Sequence, residues 1–189
     1  TLLGMLRSGQ HAVIMDDCYR KTTQFCRMVL KKFDIETTFV HAGDYEQLEG
    51  AIQKNTRLIV SESPTNPHLN VVDLDRVVIL AKANRLKVVI DSTFATPLNQ
   101  RPLEFGVDLV IHSATKYLGG HNDLMAGVVL GDEPLISAIK DYRGILGGVP
   151  DPHCAYLLIR GLKTFPLRMA RQNESSLQMA QYLEDHPKV

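Results

Sequence analysis

The sequence lacks the features that mark several protein classes. Its 21 Lys and Arg residues balance 21 Asp and Glu residues, so no basic excess indicates a nucleic-acid partner. No apolar run approaches the length needed to cross a bilayer, which argues against a membrane protein. The three cysteines are an odd number without C-x-x-C spacing, so a disulfide framework or a metal site is not expected. We expect a reducing compartment.

The chain also has no initiator methionine and no signal peptide. It opens at Thr1 on a stretch typical of the end of a helix, and it closes just after a helical pattern. We therefore expect it to be part of a longer protein. Its 189 residues, 44% of them hydrophobic, suffice for one sizeable α/β domain with its own core.

Short apolar runs alternate with longer amphipathic ones. Continuous Val, Ile and Leu runs are typical of strands buried on both faces, as in a parallel sheet covered by helices. The predicted strands are His11–Met15, Glu36–Val40, Arg57–Ser61, Lys87–Asp91, Asp108–His112 and Ala126–Leu130. The predicted helices are Tyr19–Lys32, Asp44–Lys54, Leu74–Asn84, Leu135–Tyr142, Asp151–Leu162 and Pro166–Leu183. This alternation predicts βαβ units with right-handed crossovers, and the last strand is a candidate antiparallel member.

Polar residues follow four of these strands at their carboxyl ends, where open α/β sheets bind ligands. These stretches are Asp16–Tyr19, Glu62–Pro67, Asp91–Phe94 and Ser113–Lys116. Taken singly, most of these residues have a structural explanation as turn, cap or packing residues. Asp91 and Lys116 differ because they follow the two most apolar strands, where a charged group is costly unless it has a partner.

One ligand, pyridoxal 5′-phosphate, uses the whole set. Its aldehyde needs a lysine for a Schiff base, and its ring nitrogen needs a carboxylate. Its phosphate needs hydroxyl donors, its 3′-oxygen an amide donor and its flat ring an aromatic to stack on. The residues for these roles are, in the same order, Lys116, Asp91, Ser113 with Thr115, Asn66 and Tyr19. The Gly119-Gly120 pair would let the backbone turn sharply after the lysine.

Three stretches carry a family resemblance: ESPTNP at 62–67, the segment 90–123 and YLLIRGLKTFPLRM at 156–169. On these residues the chain resembles, over essentially its whole length, the Cys/Met-metabolism family of pyridoxal-phosphate enzymes, the cystathionine γ-synthase group of fold type I. The S-x-T-K-Y-x-x-G-H block is highly specific. DCYRKT at 17–22 and TFATPLNQ at 93–100 are most similar to plant-type members, although many relatives have Tyr-Gly-Gly where this chain has Tyr19-Arg20-Lys21.

The resemblance implies an α/β fold, namely the large domain of a fold type I pyridoxal-phosphate-dependent transferase. Its mostly parallel, seven-stranded-type sheet would be flanked by helices in three layers, α/β/α. Residues 1–165 would form the cofactor-binding large domain. Residues 166–189 would form a long helix leading to a small C-terminal domain that the sequence does not contain.

The resemblance also implies roles for individual residues. Lys116 would hold the cofactor and then move protons at the substrate Cα and Cβ, and Tyr19 would stack on the ring and help activate the substrate. Asp91 would pair the ring nitrogen, and Ser113 and Thr115 would hold the phosphate. The remaining assignments are Asn66 on the 3′-oxygen, Thr93 against the opposite ring face and Glu62 as a supporting partner. His112, His121, Asp123 and the three cysteines are expected to be structural.

The implied reaction is γ-replacement, in which an activated homoserine is joined to cysteine to give cystathionine on the way to methionine. A cystathionine γ- or β-lyase and an O-acylhomoserine sulfhydrylase share nearly all these motifs and stay open. A dinucleotide-binding domain is disfavoured, because DDCYRK stands where G-x-G-x-x-G is needed. A non-catalytic remnant acting only in assembly is a further alternative.

The same resemblance implies small amino-acid substrates and a homotetramer built as a dimer of dimers. It also implies a plastid stroma if the protein is plant-like and the cytoplasm otherwise. Family members carry a Tyr/Arg segment and a Gly-rich phosphate turn upstream, and a substrate-carboxylate arginine downstream. These segments are not in the sequence, so we expect the 189-residue chain alone to bind cofactor weakly and to turn over poorly.

Overall fold

The computed structural model describes residues 1–189. Its strands are β1 His11–Met15, β2 Glu36–Val40, β3 Thr56–Glu62, β4 Lys87–Asp91, β5 Leu109–Ser113 and β6 Gly127–Gly131. Its α-helices are α1 Leu2–Met5, α2 Arg20–Met28, α3 Tyr45–Gly50, α4 Leu74–Ala83, α5 Thr96–Asn99, α6 Glu133–Leu146, α7 Pro152–Leu162 and α8 Phe165–Glu184. Two 3₁₀ helices, Leu30–Phe33 and Pro102–Phe105, complete the regular structure.

The strands form one six-stranded sheet in the order β2-β1-β3-β4-β5-β6. The pairs β1 with β2, β1 with β3, β3 with β4 and β4 with β5 are all parallel. The order reverses between β1 and β3, which is where ligands bind in sheets of this kind. The register sets Glu62 beside Asp91 at the carboxyl ends of β3 and β4.

Helices cover both faces of the sheet. One apolar core contains Val13, Ile59 and Ile90 and packs against α4 through Val77 and Ala81. The second core lies on the other face and includes residues of α1, α2 and α6, among them Leu2, Cys26 and Ile139. The nearly unbroken burial of β1 and β4 explains why these strands are runs of apolar residues.

The chain divides into two compact units. The first comprises Thr1–His112 and Gly127–Val149 and contains the sheet with α1 to α6. The second comprises Ser113–Ala126 and Pro150–Val189 and contains α7 and α8. The predicted boundary at residue 165 stays a prediction.

The mostly parallel α/β architecture is confirmed, with six strands where a seven-stranded-type sheet was expected. The helix predicted over Tyr19–Lys32 was too long, because α2 ends at Met28 and a 3₁₀ turn follows to Phe33. That turn ends at Asp34, whose left-handed backbone breaks the helical run. No helix of the structure has both the length and the apolar character of a transmembrane span.

Candidate active site

Tyr19, Glu62 and Asp91 line one cavity of about 680 Å³ in the first unit. Each stands at the carboxyl end of a parallel strand or just beyond it, as the sequence predicted. The rest of the lining is largely apolar and comes from the sheet, α1, α2 and α6. A mostly apolar cavity with a few convergent polar groups is typical of a small-molecule site.

Asp91 is the last residue of β4 and is partly exposed to the cavity. Its Oδ1 accepts hydrogen bonds from Thr93 N at 3.0 Å and from Thr93 Oγ1 at 2.5 Å. These two donors orient the carboxylate, which keeps its capacity to accept further hydrogen bonds. The structure therefore gives Thr93 a role at Asp91, whereas its predicted contact with a cofactor ring stays a prediction.

Glu62 ends β3 and is almost fully buried. Its Oε2 accepts a hydrogen bond from Tyr19 N at 2.7 Å, just before the start of α2. Burial raises the pKa of Glu62 to about 7. The Tyr19 N–H bond opposes this effect, and the charges of Asp91 and Asp17 add to it.

Asp17 is a buried carboxylate to which the sequence analysis gave no role. Its Oδ2 accepts from Thr65 Oγ1 at 2.6 Å and from Asn70 Nδ2 at 3.0 Å, and its Oδ1 lies 2.8 Å from His68 Nδ1. Burial alone would raise the pKa of Asp17, but these hydrogen bonds outweigh it and hold the pKa below its usual value. An ionised Asp17 thus ties the turn before Tyr19 to the loop that follows β3.

Asn66 lies in that same loop, next to Thr65, and is half-buried. It is not among the residues that line the cavity of Tyr19, Glu62 and Asp91. The loop carries two cis X-Pro bonds, Ser63-Pro64 and Asn66-Pro67. The only sequence signal for the Asp17 cluster was the position of Asp17 at the end of a strand.

Lys116 belongs to the second unit, in the turn after β5, and its side chain is exposed. Its N–H donates to Ser113 O at 3.1 Å, and its carbonyl accepts from Gly120 N at 2.7 Å. Gly120 has φ +77°, so the predicted sharp turn after the lysine is confirmed. The turn is tight at Gly119 too, where a Cβ would lie 2.8 Å from Ala114 O.

Thr115 forms hydrogen bonds with both the N–H and the carbonyl group of Ala126. Its N and Oγ1 lie 3.2 Å and 3.3 Å from Ala126 O, and its Oγ1 accepts from Ala126 N at 3.1 Å. A hydroxyl has one hydrogen, so Thr115 can donate to a phosphate only if it releases Ala126 O. Its backbone bonds would still hold the turn in that case.

Arg168 of α8 holds the chain just after the lysine, a role that was not predicted from the sequence. Its guanidinium donates to Tyr117 O at 2.8 Å, to Gly161 O at 2.9 Å and to Leu118 O at 3.3 Å. A Cβ on Gly161 would collide with Gly119 O, and one on Gly120 would collide with the Arg168 guanidinium. The signal was present in the YLLIRGLKTFPLRM stretch, which contains both Gly161 and Arg168.

The structural roles predicted for His112, His121, Asp123 and the three cysteines stay predictions. His112 is buried, and burial lowers its pKa. His121 pairs through Nδ1 with Gly119 O at 2.8 Å. All three cysteines are free, and burial raises the pKa of Cys26 to about 12.

The residues of the first unit fit pyridoxal phosphate by their donor chemistry. Asp91 offers an oriented carboxylate to a protonated ring nitrogen, and the Tyr19 ring is about half exposed and free to stack. In the second unit, Lys116 offers an accessible amine. No group of His, Cys, Asp and Glu side chains could hold a metal ion.

Comparisons with known proteins agree with this fit. The model of the family described as "Cys/Met metabolism PLP-dependent enzyme" matches residues 1–189. A chloroplastic cystathionine gamma-synthase 1 of Nicotiana tabacum is 49% identical over 189 residues, which are 100% of this chain and 35% of that protein. A cystathionine beta-lyase of Coxiella burnetii is 42% identical over 192 residues, covering 100% of this chain and 50% of that protein.

The backbone of this chain is also similar to that of a solved structure. The crystal structure of cystathionine gamma-lyase from Lactobacillus plantarum, complexed with L-serine, has a TM-score of 0.94 and 38% sequence identity. The match covers 98% of this chain and 49% of that one. The chain thus spans between about a third and a half of the length of these relatives.

Proposed function

Because the chain belongs to the Cys/Met-metabolism family of pyridoxal-phosphate-dependent enzymes, we propose that it serves a γ-replacement reaction. The substrates would be an activated homoserine, either O-phosphohomoserine or an O-acylhomoserine, and cysteine, and the product cystathionine. The observation that carries the proposal is the cavity in which an oriented Asp91 and the Tyr19 ring occur together. Relatives named cystathionine gamma-synthase, at 49% and 47% identity, favour this reaction.

The proposal assigns each residue a task. Bound pyridoxal phosphate supplies an electron sink that makes the hydrogens near its attachment point acidic. Lys116 holds the cofactor and moves protons at the substrate Cα and then Cβ through Nζ. Asp91 keeps the ring nitrogen protonated, and Tyr19 stacks on the ring. Ser113 and Thr115 donate to the phosphate, Asn66 donates to the 3′-oxygen, and Thr93 fixes Asp91 and faces the ring.

A lyase is the second candidate, because relatives named cystathionine beta-lyase and cystathionine gamma-lyase are 42% and 38% identical. We further propose assembly as a homotetramer and a plastid location if the source is a plant, otherwise the cytoplasm. The name of the tobacco relative includes the word chloroplastic.

The test uses a full-length protein that carries this sequence, loaded with pyridoxal phosphate. Cystathionine formation from cysteine and each activated homoserine is compared with cystathionine cleavage. We expect formation to dominate, and dominant cleavage would favour the lyase. Borohydride should abolish a visible absorbance band that Lys116→Ala lacks, whereas an unchanged band in this variant would contradict the role of Lys116.

A further inference from the structure

Glu62 stands at the point where three parts of the site meet. It ends β3, it is in register with Asp91 on β4, and it accepts the Tyr19 N–H at 2.7 Å. Both residues line the same cavity. We propose that Glu62 is a positioning residue whose carboxyl group, held neutral, fixes the Tyr19 backbone and leaves Asp91 as the single carboxylate charge at this cavity.

The hydrogen bond to Tyr19 supports the positioning half of the proposal. Tyr19 is the residue before α2, and its own side chain is 52% exposed, so packing alone does not fix it. The bond to Glu62 crosses from the turn after β1 to β3 and anchors the backbone that presents the ring. A loss of this acceptor would leave a partly buried N–H without its protein partner, which is costly.

The strand register supports the second part of the proposal, namely that the carboxyl group of Glu62 is neutral. Adjacent residues in a parallel pair point to the same face, so Glu62 and Asp91 lie side by side. Two neighbouring carboxyl groups cannot both ionise without mutual repulsion, so the more buried of the two keeps its proton. Glu62 is 4% exposed, whereas Asp91 is only partly buried and keeps two donors from Thr93.

The other charged groups around Glu62 do not reverse this balance. The Asp17 carboxylate and the Cys18 thiol lie on the turn after β1, and Asp17 adds negative charge. Lys21 on α2 and Arg143 on α6 line the same cavity, and neither forms an ion pair with Glu62. The inference rests on the proposed function only in the pairing of Asp91 with the cofactor ring.

Two variants separate the halves of the proposal. Glu62→Gln keeps an acceptor for Tyr19 N–H and imitates the neutral acid at every pH. Glu62→Leu removes the acceptor while keeping similar bulk. Glu36→Gln, at an exposed position of β2, is the matched control for the loss of a carboxyl group.

The first measurements use the protein without cofactor. Hydrogen exchange at the Tyr19 amide should be at least about tenfold faster in Glu62→Leu and nearly unchanged in Glu62→Gln, because the hydrogen bond survives only in the latter. From pH 5 to pH 8 the thermal midpoint of the wild type should fall relative to Glu62→Gln, since the folded protein binds the extra proton. Equal Tyr19 exchange in all variants, or parallel pH curves, would overturn the proposal.

The last measurement uses the cofactor. Glu62→Leu should bind pyridoxal phosphate at least about tenfold more weakly by absorbance titration, and Glu62→Gln within about twofold of wild type at pH 6. Wild-type affinity in Glu62→Leu would overturn the proposal. The titration uses a full-length protein that carries this sequence; if even its wild type and its Glu36→Gln variant bind no cofactor, the proposed function fails, and the exchange and pH measurements still decide the role of Glu62.

Discussion

In the first unit the residues at the cavity are held by the buried carboxyl groups of Asp17 and Glu62, whereas in the second unit the chain after Lys116 is held by the Arg168 guanidinium and by close packing at Gly161. Asp17 and Glu62 accept from side chains and backbone across the ends of the strands. Arg168 instead donates to three backbone carbonyls. The pKa of Glu62 is raised to about 7 whereas a guanidinium stays protonated at any pH near neutrality, so the Glu62 contact should respond to pH and the Arg168 contacts should not.

The largest expected effect is in the second unit. Gly161→Ala places a methyl group against Gly119 O, which only a shift of backbone can relieve. We expect the free energy of unfolding to fall by about 3 kcal/mol or more, measured by denaturant titration. The control is Gly144→Ala in α6 of the first unit, where a Cβ meets nothing within 4 Å. It should change stability by less than about 1 kcal/mol, and equal losses in the two variants would contradict the role of close packing.

The next effect is in the first unit. Asp17→Asn replaces an acceptor that serves three donors by a group that must itself donate. We expect a loss of about 2 to 3 kcal/mol in the free energy of unfolding, with faster proteolysis of the loop after β3. The matched control, Asp16→Asn, alters an exposed neighbour and should cost less than about 0.5 kcal/mol. A similar cost for both changes would show that the buried cluster contributes no special stability.

Arg168→Lys should have a smaller effect, because lysine keeps the charge but loses the fork that reaches several carbonyls. We expect a loss of about 1 to 2 kcal/mol and faster amide exchange at Gly119 and Gly120. Arg171→Lys, on the same helix but paired only with exposed Glu174, should leave both quantities unchanged. Unaltered amide exchange at Gly119 and Gly120 in Arg168→Lys would show that the guanidinium does not hold this part of the chain.

The smallest effect concerns pH. Burial lowers the folded pKa of His112 below its usual 6.5, so the unfolded chain binds more protons as pH falls through 6.5. Stability from this group is fully present above pH 6.5 and is lost below it. The loss of unfolding free energy from pH 7.5 to pH 5.5 should therefore be smaller in His112→Gln than in wild type. Glu62 acts in the opposite direction in both proteins, so their difference isolates His112, and identical losses would refute the assignment.

The apolar runs predicted the sheet well. Strands β1, β4 and β5 are buried on both faces, so each is a continuous apolar run that can be identified from its own sequence alone. Helix ends were harder to predict. The α2 helix stops at Met28 and passes into a 3₁₀ turn that ends at the left-handed Asp34, and the short α5 helix has too few residues for a periodic pattern.

The candidate site could be predicted as far as it depends on strand ends. Asp91, Glu62 and Tyr19 follow from position and residue type. The partners of Asp17 could not be predicted, because Thr65 and Asn70 lie 48 and 53 residues away and no local spacing announces them. The hydrogen bond from Arg168 to Tyr117 O joins residues 51 positions apart and could not be predicted for the same reason.

The separation between Asp17 and its partners has a consequence for synthesis of the protein on the ribosome. Thr65, His68 and Asn70 are 48, 51 and 53 residues later in the chain. At roughly 5 to 20 residues per second, Asp17 waits about 2 to 10 s before its first donor, Thr65, is made. During that interval β2 is made first, and β3 is completed at Glu62 shortly before Thr65. Until then the Asp17 carboxylate has none of these three partners, so the turn before Tyr19 can be fixed by Asp17 only after the loop that follows β3 has been made.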